Sequence, residues 1–360
     1  IRDSRYRVNP DDYTKPLAIL REAEKDGVLT DLGKKALWLV DSLARGAENR
    51  YGDLTPLGAR QHRGIARRMY NNFPEVFQGA AEVDARSTTV IRCILSMTAE
   101  CLQLQSLNPE LRIKDEATSY DMYYMNYGNE YFKKKRQEDE VIAVKAAFRK
   151  EHLHPERLMK SLFNNDNYVK WKVDAGKLMS YLFELAAITQ SHDTDLDLYS
   201  LFTKEECYDL WLISNLNWYI DYGPSPLTQG KMPYVEANLL ENILNTADTC
   251  VVKKENSATL RFGHETCLLP LACLLELGDC AYQTTDINKL SDIWRNYRIF
   301  PKACNIQFVF YRKKGNDNIL VKILLNEQEM KLPLASELVP YYHWEEVERY
   351  YRNKLATFVH

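Results

Sequence analysis

The sequence predicts an α/β fold, a core sheet flanked by helices, with a mostly helical insertion domain. Residues 258–280, ATLRFGHETCLLPLACLLELGDC, run from a strand-like stretch ending in Leu260 and Phe262, through Gly263 and the ionisable couple His264–Glu265, into a leucine-rich helix that Gly278 can cap. Residues 82–105 repeat that order: EVDARSTT reads as a short strand with a polar end, and the stretch after it carries Ile91, Ile94, Leu95, Met97 and Leu102 at helical spacing. Near the C-terminus IQFVFYR and ILVKILL flank a turn at 315–318, which predicts a hairpin.

Strand, polar pair and helix N-terminus in succession is where open α/β sheets place their chemistry. Unpaired N–H groups there favour an anion. His264 and Glu265 are therefore candidate site residues; the plainer alternative is a satisfied histidine and a helix-start carboxylate. Arg86 and Arg92 flank the start of the helix at 90–105. Cations there oppose the helix dipole. They become favourable when an anion binds and the guanidinium forks join the N–H groups.

In chain order, IRDSRYRVNP opens the sequence with Arg2, Asp3, Arg5 and Arg7 close together. A helix carrying Leu17, Leu20 and Ala23 ends near Gly27. LTDLG at 29–33 and LTPLG at 54–58 then introduce two further helices, each with threonine at the N-cap and glycine in the opening turn. Arg60, His62, Arg63, Arg67 and Arg68 make the second of these basic and are expected mostly to face water. From 108 onward the composition shifts: a short strand-like piece at 111–115, a tyrosine-rich stretch, the basic run Lys133, Lys134, Lys135 and Arg136, and helices at 142–150, 155–163, 173–189 and 205–222. A turn at 223–230 and a helix at 234–249 lead back. The expected partition is a core of 1–107 and 231–360 with a helical cap at 108–230.

Composition narrows the function. The 360-residue chain has a net charge of −3, which implies no bulk attraction to nucleic acid. No apolar run is long enough to span a membrane. The eight cysteines lack zinc-finger spacing. HDTDLD at 192–197 begins like a calcium loop, but Leu198 and Lys204 stand where that loop needs glycine and glutamate. No metal and no cofactor are expected.

Taken together, LTPLGARQH at 54–62, RSTTVIRCILS at 86–96, RFGHETCLLP at 261–270 and the hairpin at 307–327 resemble the clade-2 histidine acid phosphatases, most nearly the phytase-like multiple inositol polyphosphate phosphatases and their bacterial relatives. The resemblance covers nearly the whole chain. It implies a histidine-phosphatase-like core sheet between helices and a phosphomonoester hydrolase. Arg5 matches the second arginine of the Arg-His-Gly-x-Arg signature, Arg92 the third pocket arginine, His264 a phosphate hydrogen-bonder and Glu265 the general acid. Arg2 matches the first arginine if the signature is one residue short. The resemblance further implies a periplasmic or extracellular location and a small phosphate monoester, such as inositol hexakisphosphate, as partner. Lys15 and the run Lys133 to Arg136 are the candidates for contacting further phosphates, or are simply surface solubilisers.

The family nucleophile, a histidine followed by glycine, has no counterpart, and Asp3 stands near its position. Several readings stay open. The sequence is shortened there; the protein binds a phosphate ligand without hydrolysing it; or Asp3 itself attacks. An aspartyl nucleophile normally needs a metal to offset its repulsion with phosphate.

Overall fold

The computed structural model describes residues 3–126, 128–253 and 256–358. In order the elements are α1 (Asp11–Lys25), α2 (Asp31–Ala47), α3 (Pro56–Asn72), β1 (Glu82–Ser87), α4 (Ile91–Leu107), β2 (Arg112–Glu116), α5 (Met122–Met125), α6 (Glu130–Arg136) and α7 (Asp139–His152). They continue with α8 (Glu156–Leu162), α9 (Asp166–Lys172), α10 (Ala175–Thr189), α11 (Lys204–Tyr222), α12 (Ala237–Lys253), β3 (Ser257–Phe262) and α13 (Glu265–Leu274). The chain closes with α14 (Leu290–Ile293), α15 (Asn296–Ile299), β4 (Ile306–Arg312), β5 (Ile319–Leu325), β6 (Gln328–Glu329), β7 (Tyr342–His343) and α16 (Trp344–Ala356). The α/β class is thus observed.

Two compact units divide the chain: Ile1–Asp3 with Ala59–Ala143 and Asn215–His360, and Ser4–Gly58 with Val144–Ser214. This cut differs from the expected cap at 108–230. Strand β2 lies inside that expected cap, yet it pairs in parallel with β1 and so belongs to the core sheet. The helices of residues 11–47, expected in the core, share one hydrophobic cluster with α8 and α10. Pairing and burial join segments distant in sequence, whereas a change in composition marks only local neighbours.

In the larger unit β1 is central, with β2 on one side and β3 on the other, both parallel to it. The β1–α4–β2 connection is a βαβ unit. Helix α4 buries Met97 and Cys101 against Ala85 and Phe262 of the sheet. The hairpin forms as expected, β4 antiparallel to β5, with β6 and β7 completing a second sheet. Helix α13 ends in a Schellman turn: Leu277 N–H donates to Ala272 O and Glu276 N–H to Cys273 O. Its left-handed residue is Glu276 (φ 53°), not the expected Gly278. The carboxylate compensates by accepting from Tyr350 Oη and pairing with Lys354 Nζ at 2.9 Å, which ties down α16.

In the smaller unit the LT-x-LG copies act as one device used twice. Thr30 N–H donates to Leu162 O, and Thr55 N–H to Ser4 O. Each threonine hydroxyl caps its helix by accepting from a glycine N–H, Gly33 at 3.0 Å and Gly58 at 3.1 Å. Each glycine is needed for closeness: a Cβ at Gly33 would lie 2.1 Å from Leu162 O, and one at Gly58 2.5 Å from Ser4 O. The second copy holds Ser4 and Arg5, and Arg5 pairs with Leu54 as an antiparallel bridge.

Candidate active site

Sheet order brings the candidate residues of the larger unit together. Parallel strands β1 and β3 end side by side, Ser87 opposite Phe262. Helices α4 and α13 begin just beyond them, so their first residues, Arg92 near the start of α4 and His264 at the N-cap of α13, project toward one place. Arg92 Nη2 lies 3.0 Å from His264 Nδ1. A guanidinium only donates, so Nδ1 must accept and the imidazole proton sits on Nε2. Burial first, and then the Arg92 charge, push His264 down to about 4, so the ring is neutral near pH 7 and offers Nε2–H as a donor. Glu265 is the first residue of α13, half-buried beside it.

Asp3 is buried on the other side of Arg92. Its Oδ2 lies 3.5 Å from Arg92 Nε, and its Oδ1 accepts from Ser96 Oγ at 2.9 Å and from His62 Nε2 at 3.0 Å. His62 Nδ1 in turn lies 2.9 Å from Glu100 Oε1. Burial alone would lower the pKa of His62, but the bonds to Asp3 and Glu100 outweigh it and hold the ring at about 9. His62 is therefore an imidazolium between two carboxylates, and both its nitrogens are occupied. Burial drives Glu100 upward against the opposing pull of His62. The Cys93 thiol, 3.8 Å from Asp3 Oδ2 and 3.3 Å from Gly263 O, is raised to about 11 by burial and then by the Asp3 charge. It stays a thiol near neutrality.

His62 corrects the sequence reading. It was expected on a water-facing basic helix and is fully buried. Its arginine-rich neighbours mask an inward register in which it falls three and four residues before the buried Ile65 and Ala66. Glu100 was also missed. It follows Cys93, Ser96 and Met97 along the buried face of α4, and a carboxylate in an apolar stripe needs a buried partner.

Arg86 is not part of this cluster. It pairs with Asp84 and Asp121 at 3.2 Å each and with Glu116 at 3.6 Å. Arg5 lies in the smaller unit, and Arg2 lies outside the described residues. Lys133, Lys134, Lys135 and Arg136 form the last turn of α6, where the dipole favours cations. Lys133 pairs with Glu130 at 2.7 Å and Lys135 with Glu138 at 2.8 Å; Arg136 donates to Asp221 O and covers the Tyr222 ring, and Lys134 is exposed. Lys15 pairs with Asp11 at 2.8 Å. Among the described residues no group of three His, Cys, Asp or Glu side chains is placed to hold a metal ion, and no helix is long and apolar enough to cross a membrane.

The family profile described as histidine phosphatase superfamily (branch 2) matches residues 10–326. Multiple inositol polyphosphate phosphatase 1 of Gallus gallus is 23% identical over 343 residues, covering 89% of this chain and 72% of the relative. Among solved structures, multiple inositol polyphosphate phosphatase of Bifidobacterium longum in complex with inositol hexasulfate superposes with a TM-score of 0.78 at 18% identity, over 96% of this chain and 88% of that one. The same enzyme in complex with phosphate also gives 0.78 at 18% identity, over 99% and 90% of the two chains.

Proposed function

Because the chain belongs to the histidine phosphatase superfamily, branch 2, whose chemistry is phosphomonoester hydrolysis, we propose that Arg92, His264 and Glu265 are the phosphate-binding and proton-donating arms of such a site, and that its ligand is an inositol polyphosphate. The observation that carries this reading is the Arg92–His264 contact at 3.0 Å, at the start of two helices and beside adjacent strand ends. A phosphoryl group set there meets a guanidinium fork, the His264 Nε2–H and the first N–H groups of α13, all donors. Glu265, next in sequence, is within the same helix turn and is assigned as the acid that protonates the leaving alkoxide. Arg5 is proposed as a further phosphate ligand, and Arg2 likewise if it matches the first signature arginine. The inositol polyphosphate assignment draws on the names of the matched relatives, one of them in complex with inositol hexasulfate.

Asp3 favours a second reading, in which the chain with this sequence holds a phosphate ester and does not turn it over. His62 is locked as a cation with both nitrogens used, and Cys93 is protonated, so neither replaces the absent nucleophile. The Asp3 carboxylate carries negative charge against Arg92, which disfavours its attack on a phosphate dianion without a metal.

Turnover of an aryl phosphate and of inositol hexakisphosphate, set beside calorimetric binding of the latter, tests both readings. Restoring the family's His-Gly pair ahead of Ser4 is expected to create or raise turnover. Absence of binding and of turnover in both forms defeats the site assignment. Binding without turnover in the present sequence, with turnover after restoration, selects the second reading for this chain.

A further inference from the structure

Glu236 is a buried acid that the chemistry proposed above leaves unused. It ends the 3-10 turn Met232–Glu236, just ahead of α12, and is 2% exposed. Among the described residues its Oε2 has no hydrogen-bond partner. The Cys267 thiol is hydrogen-bonded to its carboxyl and is the only titratable side chain among them that acts on it. From α6 the apolar Phe132 packs on the same turn, against Met232 and Val235. A carboxylate so enclosed, with no cation to pair, is strongly disfavoured. Burial accordingly pushes Glu236 up to about 8, against a smaller opposing effect of Cys267. Near pH 7 the side chain is a neutral acid with one O–H to donate.

Counting hydrogens decides which way the bonds run. Cys267 lies in the first turn of α13, where its N–H donates to His264 O at 3.0 Å. Its Sγ is 3.6 Å from Met125 O and 3.9 Å from Asn126 Oδ1. Both oxygens only accept, so the single S–H turns to that side, and the sulfur lone pairs are left for the Glu236 O–H. Met125 O in turn lies over Gly263, 3.6 Å from where a Cβ there would stand. Building on the assignment of His264 and Glu265 to the phosphate site, we propose that Glu236 is a positioning residue for that couple: its O–H donates to Cys267 Sγ, the Cys267 S–H donates to Met125 O, and this relay sets the first turn of α13 against Met125 and Asn126.

Loss of the Glu236 proton reverses the relay. A carboxylate only accepts, so the thiol proton turns to it and Met125 O loses that donor. The shift falls in the turn that carries His264 and Glu265. Other groups around Cys267 keep their charge state between pH 7 and pH 9. Burial, and then Glu236, hold the Cys267 thiol well above its ordinary value. Tyr222, near Cys267 from α11, is raised above 10 by burial, with Arg136 opposing. His264 is already neutral above about 4. His62, which titrates at about 9 behind Asp3, does so whatever stands at position 236.

Two substitutions in the full chain test the relay. Glu236→Gln keeps a donor in its amide N–H but cannot ionise; Glu236→Leu keeps the bulk and has no donor. The His264 ring signals are followed by NMR from pH 6.5 to pH 9, beside calorimetric affinity for inositol hexakisphosphate. The parent is expected to show a step in those signals near pH 8 that Glu236→Gln lacks. At pH 6.5 Glu236→Leu is expected to bind about three- to tenfold more weakly, the worth of one neutral hydrogen bond, and Glu236→Gln to recover most of that loss. A step near pH 8 that persists in Glu236→Gln overturns the proposal, and so does a Glu236→Leu protein altered in melting temperature alone. The glutamine comparison decides by itself should Glu236→Leu fail to fold. Absence of inositol hexakisphosphate binding in every form, with the step present in the parent alone, supports the relay and defeats the phosphate-site assignment instead.

Discussion

Arg92 Nη2 donates to His264 Nδ1 across 3.0 Å, so this contact fixes the tautomer of the histidine and adds to burial in keeping the ring neutral. Burial is the larger cause of the depressed pKa of His264 and the Arg92 charge the second. Replacing Arg92 with methionine should raise the His264 pKa from about 4 toward its ordinary 6.5 without restoring it fully, as read by NMR titration of the ring. The same variant should weaken inositol hexakisphosphate binding by roughly ten- to a hundredfold, the worth of a charged hydrogen-bond donor. An unchanged titration would mean that the guanidinium does not act on the ring.

The His62 cluster predicts a pH dependence of stability. Its folded value, about 9, lies above the ordinary 6.5. Its stabilisation is complete below pH 6.5 and is lost as pH rises through 9. The magnitude is on the order of 3 kcal/mol. Urea unfolding of the parent at pH 6.5 and pH 9 should show this loss, and His62→Asn, already destabilised, should lose much less over the same interval. Equal losses in parent and variant would remove His62 as the titrating group.

Two glycines of α2 should respond in opposite senses. Gly33→Ala forces a methyl against Leu162 O and should destabilise by about 1–3 kcal/mol. Gly46→Ala, exposed and with open space around its added carbon, should stabilise by about 0.5–1 kcal/mol through helix propensity alone. Denaturant midpoints read both.

Lys133→Ala with Lys134→Ala should leave inositol hexakisphosphate affinity within about twofold at physiological salt, since exposed cations at a helix end contribute little. A large drop measured by calorimetry would return the run to the binding site.

Much of this molecule was legible from local sequence. His264 and Glu265 stood out because two titratable residues interrupt an apolar run, and Thr30 and Thr55 because a cap acts within three residues of itself. The hairpin was legible because its turn is short. What escaped was non-local. Pairing of β2 with β1 crosses α4, and no composition shift reports it. His62 and Glu100 lie on different helices, and each alone reads as ordinary surface charge or a misplaced acid; only their meeting around Asp3 gives them a purpose. The joining of residues 11–47 to α8 and α10 rests on one shared hydrophobic cluster, with Leu29 also bridging Phe163, between segments far apart in the chain.

Glu276 shows where routine stabilisation would misfire. Statistics of helix endings recommend glycine at that left-handed position, and Glu276→Gly would ease the backbone. It would also cut the tether to Tyr350 and Lys354, leaving the terminal helix with fewer polar ties, among them Trp344 and Arg352 to Asp248 and Tyr351 to Leu275 O. Homologue-averaged redesign, which treats each site separately, would therefore loosen the C-terminal end of this protein while seeming to improve it.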